Sequence, residues 1–357
     1  MKERYRVTGL MSGSSMDGVD LAICEFNRHN SQWSYTILAA DTLPYPEALR
    51  EKLEQACNWE SAKIKLLDIE LGEFYAKLLN DFHKTEELIP DLIASHGHTI
   101  LHEPDLGITL QAGHGGIMAE KTGIPVVNDF RSADVAQGGE GAPLVPIGDS
   151  QLFGTYDACL NLGGIANISY DDSAGQRIAY DLCVTNMALN WIAGLSGLEY
   201  DKGGAIARKG QVDKKLLQTL NNLEYYRTKP PKSLGREWFL LNFQPKLDRT
   251  NLEVCDLMAT TVEHMALQIA SGINTQKINS VLVTGGGALN QTLIKRLRYH
   301  TSAQIEIPDM LLIQFKEALV FAFLGLLRIR GEINCLSSVT GGKKDLSAGT
   351  IYKINNH

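Results

Sequence analysis

The chain has 357 residues, of which 44% are apolar and 21% charged; that length and balance suit about two globular domains and exclude a disordered chain. Its 34 basic and 41 acidic residues leave a net charge of −7. This charge repels phosphate backbones and anionic lipid, and no basic patch offsets it, so neither nucleic acid nor membrane is expected as a partner.

The opening residues carry no apolar signal core, and the most apolar run, 318–327, is about half the length needed to cross a bilayer. Six cysteines, Cys24, Cys57, Cys159, Cys183, Cys255 and Cys335, form no C-x-x-C pair and read as reduced thiols, so a cytoplasmic protein is expected. Glycine, with 33 residues, is the one compositional excess, and it is clustered.

In chain order, residues 5–10 read as a strand, 11–18 as a small polar loop and 19–26 as a second strand. No helix follows the glycines directly and no Lys-Ser/Thr closes the loop, which disfavours a Rossmann turn and a P-loop. Helices are expected over 45–57 and 61–83; in the second, Leu67, Leu71, Phe74, Leu78 and Phe82 line one face. Short strands follow over 92–95, 108–111 and 126–128, with a helix over 114–122. The glycine-rich stretch 137–146 reads as a boundary or hinge. Strand, glycine turn and strand then recur over 158–161, 162–164 and 165–170, with a third strand over 177–180. Helices are expected over 184–195, 212–223 and 252–273, a strand over 278–284, a helix over 291–299 and a buried apolar helix over 316–328. Alternation of this kind predicts an α/β fold, and the repeated layout suggests two related domains.

Three glycine turns at strand ends carry the candidate chemistry. The first spans Gly13, Ser14, Ser15, Met16, Asp17, Gly18, Val19 and Asp20, where converging backbone N–H groups suit phosphate and Asp17 or Asp20 suits Mg²⁺ through water; a plain polar hairpin is the alternative. The second holds Gly163, Gly164 and Asn167, and the third Gly285, Gly286, Gly287 and Asn290. One nucleotide gripped between two domains accounts for all three. Asp181, after the strand 177–180, is a general-base candidate or a helix N-terminal acid. Asp129 and Arg131 read as a salt bridge or a substrate clamp. His96 and His98 lack a third metal ligand, so substrate hydrogen bonding or packing is favoured over a structural metal. Glu317, at the expected start of the apolar helix, is a surface N-terminal charge or a buried acceptor for hydroxyls.

Together, MSGSSMDGVD (11–20), SHGHT (95–99), NDFRSADVAQGGEGAPLVP (128–146), NLGGIANIS (161–169), DKGGAIARKG (201–210), PPKSLGRE (230–237), VTGGGALN (283–290) and EALVFAFL (317–324) resemble the anhydro-N-acetylmuramic acid kinase family. That family belongs to the superfamily of actin, sugar kinases and heat-shock chaperone ATPases. The resemblance implies an α/β fold of two related domains, each a mixed sheet plus helices, around a nucleotide cleft (actin-like ATPase, ribonuclease H-like). The domains would be 1–130 with about 335–357, and 131–334.

It also implies an ATP- and Mg²⁺-dependent kinase that hydrolyses the 1,6-anhydro bridge and phosphorylates O6 during peptidoglycan recycling. Asp181 would be the base, the glycine turns would hold ATP, and His98, Arg131 and Glu317 would face the sugar. Its partners would be ATP and a small sugar, with the oligomeric state left open, a homodimer included.

The chain departs from the family at Asp181-Leu182-Cys183-Val184-Thr185-Asn186, where DTGPGN is usual, and has His98 and Glu140 where Gln is usual. Bulkier side chains in that turn would narrow the approach to the site, which leaves a non-catalytic sensor or a kinase for a related anhydro sugar as alternatives. A nicotinamide dehydrogenase is disfavoured because no G-x-G-x-x-G follows a strand.

Overall fold

Alternating apolar, β-branched and aromatic residues extend Arg4–Ser12 (β1) and Val19–His29 (β2), which pair antiparallel with Tyr5 opposite Phe26 and Leu10 opposite Leu21. The structure, a computed structural model, describes residues 3–13, 16 and 18–354. It resolves into two compact units, Met1–Leu152 with Phe315–His357, and Phe153–Gln314.

In the first unit, Gln32–Leu43 (β3) joins β2, while Leu92–Glu103 (β4) lies parallel to β1 and Val126–Asn128 (β6) parallel to β4. The main order is β3-β2-β1-β4-β6. Ile108–Ala112 (β5) pairs with the far end of β4, and the final strand, Thr350–Tyr352 (β12), closes antiparallel on β6. One face buries Leu10, Leu21, Ile23 and Ile93 in a core shared with Leu67, Leu71, Tyr75 and Leu79 of the helix Ser61–Thr85.

On the other face, the helix Met310–Ile329 packs from Phe315 onward. Gly9 and Gly325 permit its approach, because a Cβ at Gly9 would strike the Ala318 carbonyl and one at Gly325 would strike Ala94 Cβ. Phe323 meets Phe26 and Trp33 at ring-centroid distances of 5.4 and 5.5 Å. Fully burying a side chain of this size contributes roughly 1.5–3 kcal/mol.

Several expectations change here. The apolar helix begins at Met310, ahead of the expected 316, so Glu317 lies inside it rather than at its start. It is long and apolar enough to cross a membrane, but 78% of its most apolar 18-residue window is buried inside the protein. Residues 131–152 and 315–334 pack within the first unit, where the sequence placed boundaries at 130 and 335. Fully buried Asp134 accepts hydrogen bonds from Gly141 N–H at 2.9 Å and Thr340 Oγ1 at 2.9 Å, and Lys316 Nζ lies 2.7 Å from Asp149. These bonds hold the stretch 137–146 inside a unit rather than at a hinge.

The second unit repeats the arrangement. Ala158–Leu162 (β7), Ile165–Asp171 (β8) and Arg177–Val184 (β9) pair antiparallel in succession; Ser280–Thr284 (β10) runs parallel to β7, and Gln304–Glu306 (β11) parallel to β10. The order β9-β8-β7-β10-β11 has the same strand directions as β3-β2-β1-β4-β6.

β9 runs to Val184, beyond the expected 180. Leu182, Cys183 and Val184 are buried in the core with Val262, Met265 and Ile269 of the helix Val254–Thr275. Gly272 makes room, since a Cβ there would come within 2.5 Å of Leu182 Cδ2. Of the two residues that stand where the resembled family has glycine, Cys183 belongs to this core strand, while Thr185, fully buried, lies just past its end.

Candidate functional site

Strand register decides which polar groups meet in the second unit. Asn161 on β7 stands opposite Asn167 on β8, Asn167 opposite Asp181 on β9, and Thr284 on β10 beside Asn161. Asp181 is a strand residue, which overturns its reading as a helix N-terminal acid. Its Oδ2 accepts the Leu234 N–H at 2.8 Å, its carbonyl accepts the Tyr225 hydroxyl at 2.6 Å, and its N–H donates to the Lys232 carbonyl at 3.2 Å. Burial pushes its carboxyl up to about 6, and the Leu234 N–H, by favouring the charged form, pulls the other way. A carboxylate poised there is ionised at neutral pH and still basic enough to take a proton.

The turn beside this row exposes main chain. The Gly163 carbonyl accepts from Thr185 Oγ1 at 2.7 Å and Asn186 N–H at 3.2 Å, and the Gly164 carbonyl from Thr185 N–H at 2.9 Å. The N–H groups of Gly163 and Gly164 have no partner among the described residues. A Cβ at Gly164 would have only Met187 within reach, at 3.9 Å, so nothing in the fold demands glycine there. A missing side chain that the fold does not require leaves room for a ligand to reach the backbone.

The third turn divides its glycines. Gly285 has φ +81°, and a Cβ there would meet Asn161 Oδ1 at 2.5 Å; one at Gly287 would meet Leu162 Cβ at 2.8 Å. Both hold the turn against β7. Gly286 is open, its nearest neighbour being Asn186 Nδ2 at 3.7 Å. Asn290 caps the helix Gln291–His300 by accepting the Leu293 N–H at 3.0 Å, and Thr292 Oγ1 donates to the Gly204 carbonyl at 2.7 Å. DKGGAIARKG and VTGGGALN, far apart in sequence, therefore meet in this unit.

In the first unit, Ser14, Ser15 and Asp17 lie outside the described residues. The Met16 N–H donates to the Gly13 carbonyl at 3.2 Å, Met16 has φ +56°, and its side chain packs on the core. Gly18 is small because a Cβ would meet Thr42 Cγ2 at 2.8 Å, and Val19 is fully buried, so both serve packing. Asp20 accepts from Thr42 Oγ1 at 2.6 Å.

His98 is only 3% exposed and is not a surface residue; its Nδ1 lies 2.9 Å from Ser12 Oγ, which lies 2.6 Å from the Tyr45 hydroxyl. Burial pushes this imidazole down to about 4, so it is neutral and holds Ser12 at the end of β1. Arg131 donates from Nε and Nη2 to His96 Nε2 at 3.1 and 2.8 Å, and from Nη1 to the Gly141 carbonyl at 2.7 Å. His96 is thus a neutral acceptor, held well below its ordinary pKa by burial and by Arg131.

No ion pair joins Arg131 to Asp129 among the described residues, and no group of three metal-ligating side chains occurs among them. Glu317 is solvent-accessible, yet its carboxyl is pushed up by surrounding protein, against the pull of Lys316 and Arg131. Accessibility decides here, and a ligand can reach it. Burial lowers Arg131 to about 10, with Glu317 opposing.

The sequence reading missed Asp134, which organises the 137–146 loop, and Tyr225 and Leu234, which hold Asp181. Asp134 lay inside a quoted motif; nothing in the local pattern marked Tyr225.

Two sheets of the same order, with glycine turns at strand ends and one half-buried carboxylate on the strand beside such a turn, make up an α/β fold with a candidate catalytic site. The family model for anhydro-N-acetylmuramic acid kinase matches residues 5–354. The anhydro-N-acetylmuramic acid kinase of Saccharophagus degradans is 36% identical over 96% of this chain and 98% of its own length; that of Mannheimia succiniciproducens is 36% identical over 99% of each. Among solved structures, component A of (R)-2-hydroxyglutaryl-CoA dehydratase from Acidaminococcus fermentans overlaps with a TM-score of 0.48 at 12% identity, over 90% of this chain and 97% of that one. The chain belongs to the anhydro-N-acetylmuramic acid kinase family and is an ATP-dependent sugar kinase.

Proposed function

We propose that this protein, in the cytoplasm, converts anhydro-N-acetylmuramic acid, ATP and water to N-acetylmuramate 6-phosphate and ADP. Asp181 takes a proton from water as that water attacks the anomeric carbon. The anhydro bridge opens, and the departing O6 attacks the γ-phosphate. The observation that carries this reading is the Asp181 carboxylate, ionised near neutrality and held by Leu234 N–H in the strand beside Gly163 and Gly164. The free N–H groups of that turn are assigned to phosphate, and the open Gly286 turn to the rest of the nucleotide. Arg131 and Glu317 are assigned to the sugar, with His98 acting through Ser12.

Asp20, a partly exposed carboxylate at the start of β2, fits Mg²⁺ held through water and phosphate oxygens, the usual mode for this ion. Mg²⁺, when bound, neutralises charge on the transferring phosphate. Each compact unit is taken as one domain of the actin-like ATPase fold. The buried positions of Leu182, Cys183, Val184 and Thr185 argue against a site narrowed by these side chains, and so against the non-catalytic sensor.

Incubation with ATP, Mg²⁺ and the anhydro sugar in ¹⁸O-water tests the reading by mass spectrometry. The expected product is a sugar phosphate with one ¹⁸O at the anomeric carbon, formed one-to-one with ADP. Sugar binding without product overturns it.

A further inference from the structure

β9 is the edge strand of its sheet, and at Asp181 its outer edge is covered by the segment 225–234. Three bonds cross that edge: Tyr225 hydroxyl to the Asp181 carbonyl at 2.6 Å, Asp181 N–H to the Lys232 carbonyl at 3.2 Å, and Leu234 N–H to Asp181 Oδ2 at 2.8 Å. The segment is tied to itself by Lys232 Nζ, which donates to the Tyr225 carbonyl at 3.2 Å and lies 4.3 Å from the centre of the Tyr225 ring. Both main-chain groups of Asp181 and one carboxylate oxygen are thereby fixed, while Oδ1 accepts no hydrogen bond among the described residues. The carboxylate can rotate only by breaking the Leu234 bond, so Oδ1 is the oxygen left for a proton.

Resting on the assignment of Asp181 as base, we infer that Tyr225 and Lys232 are positioning residues, which hold the 225–234 segment on β9 so that Leu234 N–H orients the Asp181 carboxylate. The titratable groups facing Asp181 are Tyr180 and Cys183 on its own strand and Tyr225 and Lys232 on the covering segment. Tyr225 and Cys183 are pushed up by burial and stay protonated near neutrality, and Tyr180 is pushed up to about 12. Asp181 is therefore the group whose ionisation sets the acidic limb of turnover. Loosening the segment weakens a bond to its charged form, which moves that limb to higher pH.

The test is steady-state kinetics of Tyr225→Phe, Lys232→Met and the double variant from pH 5 to 9, with Asp181→Asn alongside. Tyr225→Phe keeps the ring and its contact with Lys232 and removes only the hydroxyl. It is expected to lower kcat by about tenfold or more, leave KM for ATP and sugar within about twofold, and move the acidic limb of kcat upward. Lys232→Met is expected to do the same, and the double variant to cost little more than either, because both act through one clamp. Unchanged kcat in Tyr225→Phe overturns the inference, and so does a lowered kcat with an unmoved limb, which marks a merely structural role. Activity surviving in Asp181→Asn overturns the base assignment itself, whereas an inactive Asp181→Asn beside a normal Tyr225→Phe overturns the clamp alone.

Discussion

Replacing Gly164 by Ala separates what the fold needs from what a phosphate needs. The added methyl would have Met187 Cε at 3.9 Å as its nearest neighbour, an ordinary contact, and Gly164 does not adopt a left-handed φ. On stability grounds alone the substitution is neutral or mildly stabilising, by about 0.4–1 kcal/mol through the unfolded chain, which is a rise of roughly 1–4 °C in Tm. A phosphate seated on the Gly163 and Gly164 N–H groups would be pushed off by the same methyl. Losing one charge-assisted hydrogen bond costs about 1.5–3 kcal/mol, so KM for ATP should rise roughly 10- to 100-fold. The control is Gly287→Ala, whose methyl would meet Leu162 Cβ at 2.8 Å and its carbonyl at 2.9 Å; overpacking there should cost about 1–3 kcal/mol and lower Tm. Calorimetry and ATP-dependent kinetics on both variants decide the matter. Unchanged KM for ATP in a well-folded Gly164→Ala protein refutes the phosphate role of this turn.

Three further outcomes follow from the geometry. Turnover should fall on acidification through about pH 6, as the Asp181 carboxylate gains a proton; a kcat profile flat from pH 5 to 8 contradicts this. The same raised value has a stability consequence. The native carboxyl titrates near 6 and the unfolded one near 3.8, so the native state bears the cost of ionisation progressively from pH 4 to 6 and in full above. Asp181→Asn should therefore gain Tm relative to the parent at pH 8 and lose that advantage at pH 4. His98→Gln should keep the bond to Ser12 and most activity, while His98→Ala leaves Ser12 short of one buried partner and should cost about 1–3 kcal/mol in chemical denaturation.

Much of the molecule was legible because its strands are short, apolar and punctuated by glycine. Residues 5–10 and 158–161 announced the first strands of two sheets, and the recurrence of strand, turn and strand announced their common order. The edge strand Gln32–Leu43 went unread although Gln32, Ser34 and Thr36 alternate with Trp33, Tyr35 and Ile37, because most of its residues are half or fully exposed and the pattern breaks at Leu38, Ala39 and Ala40. Asp181 was found as a base candidate but placed outside its strand, because an acid ordinarily marks a strand's end; here Leu182, Cys183 and Val184 beyond it continue into the core. His98 and Asn290 have the composition of ligand contacts, yet a strand-end support and a helix cap need the same polar atoms. Only the third dimension separates those roles, as it does for Gly164 and Gly287, which are identical letters in similar motifs with opposite reasons to be glycine.

The most direct test is the turnover of Asp181→Asn with ATP, Mg²⁺ and anhydro-N-acetylmuramic acid, measured on protein shown to melt cooperatively and to bind ATP. Removing a positioned general base typically costs about 10²- to 10⁴-fold, so the expected result is loss of sugar phosphate formation on that scale with ATP affinity retained. Turnover within about tenfold of the parent would contradict it and move the base elsewhere.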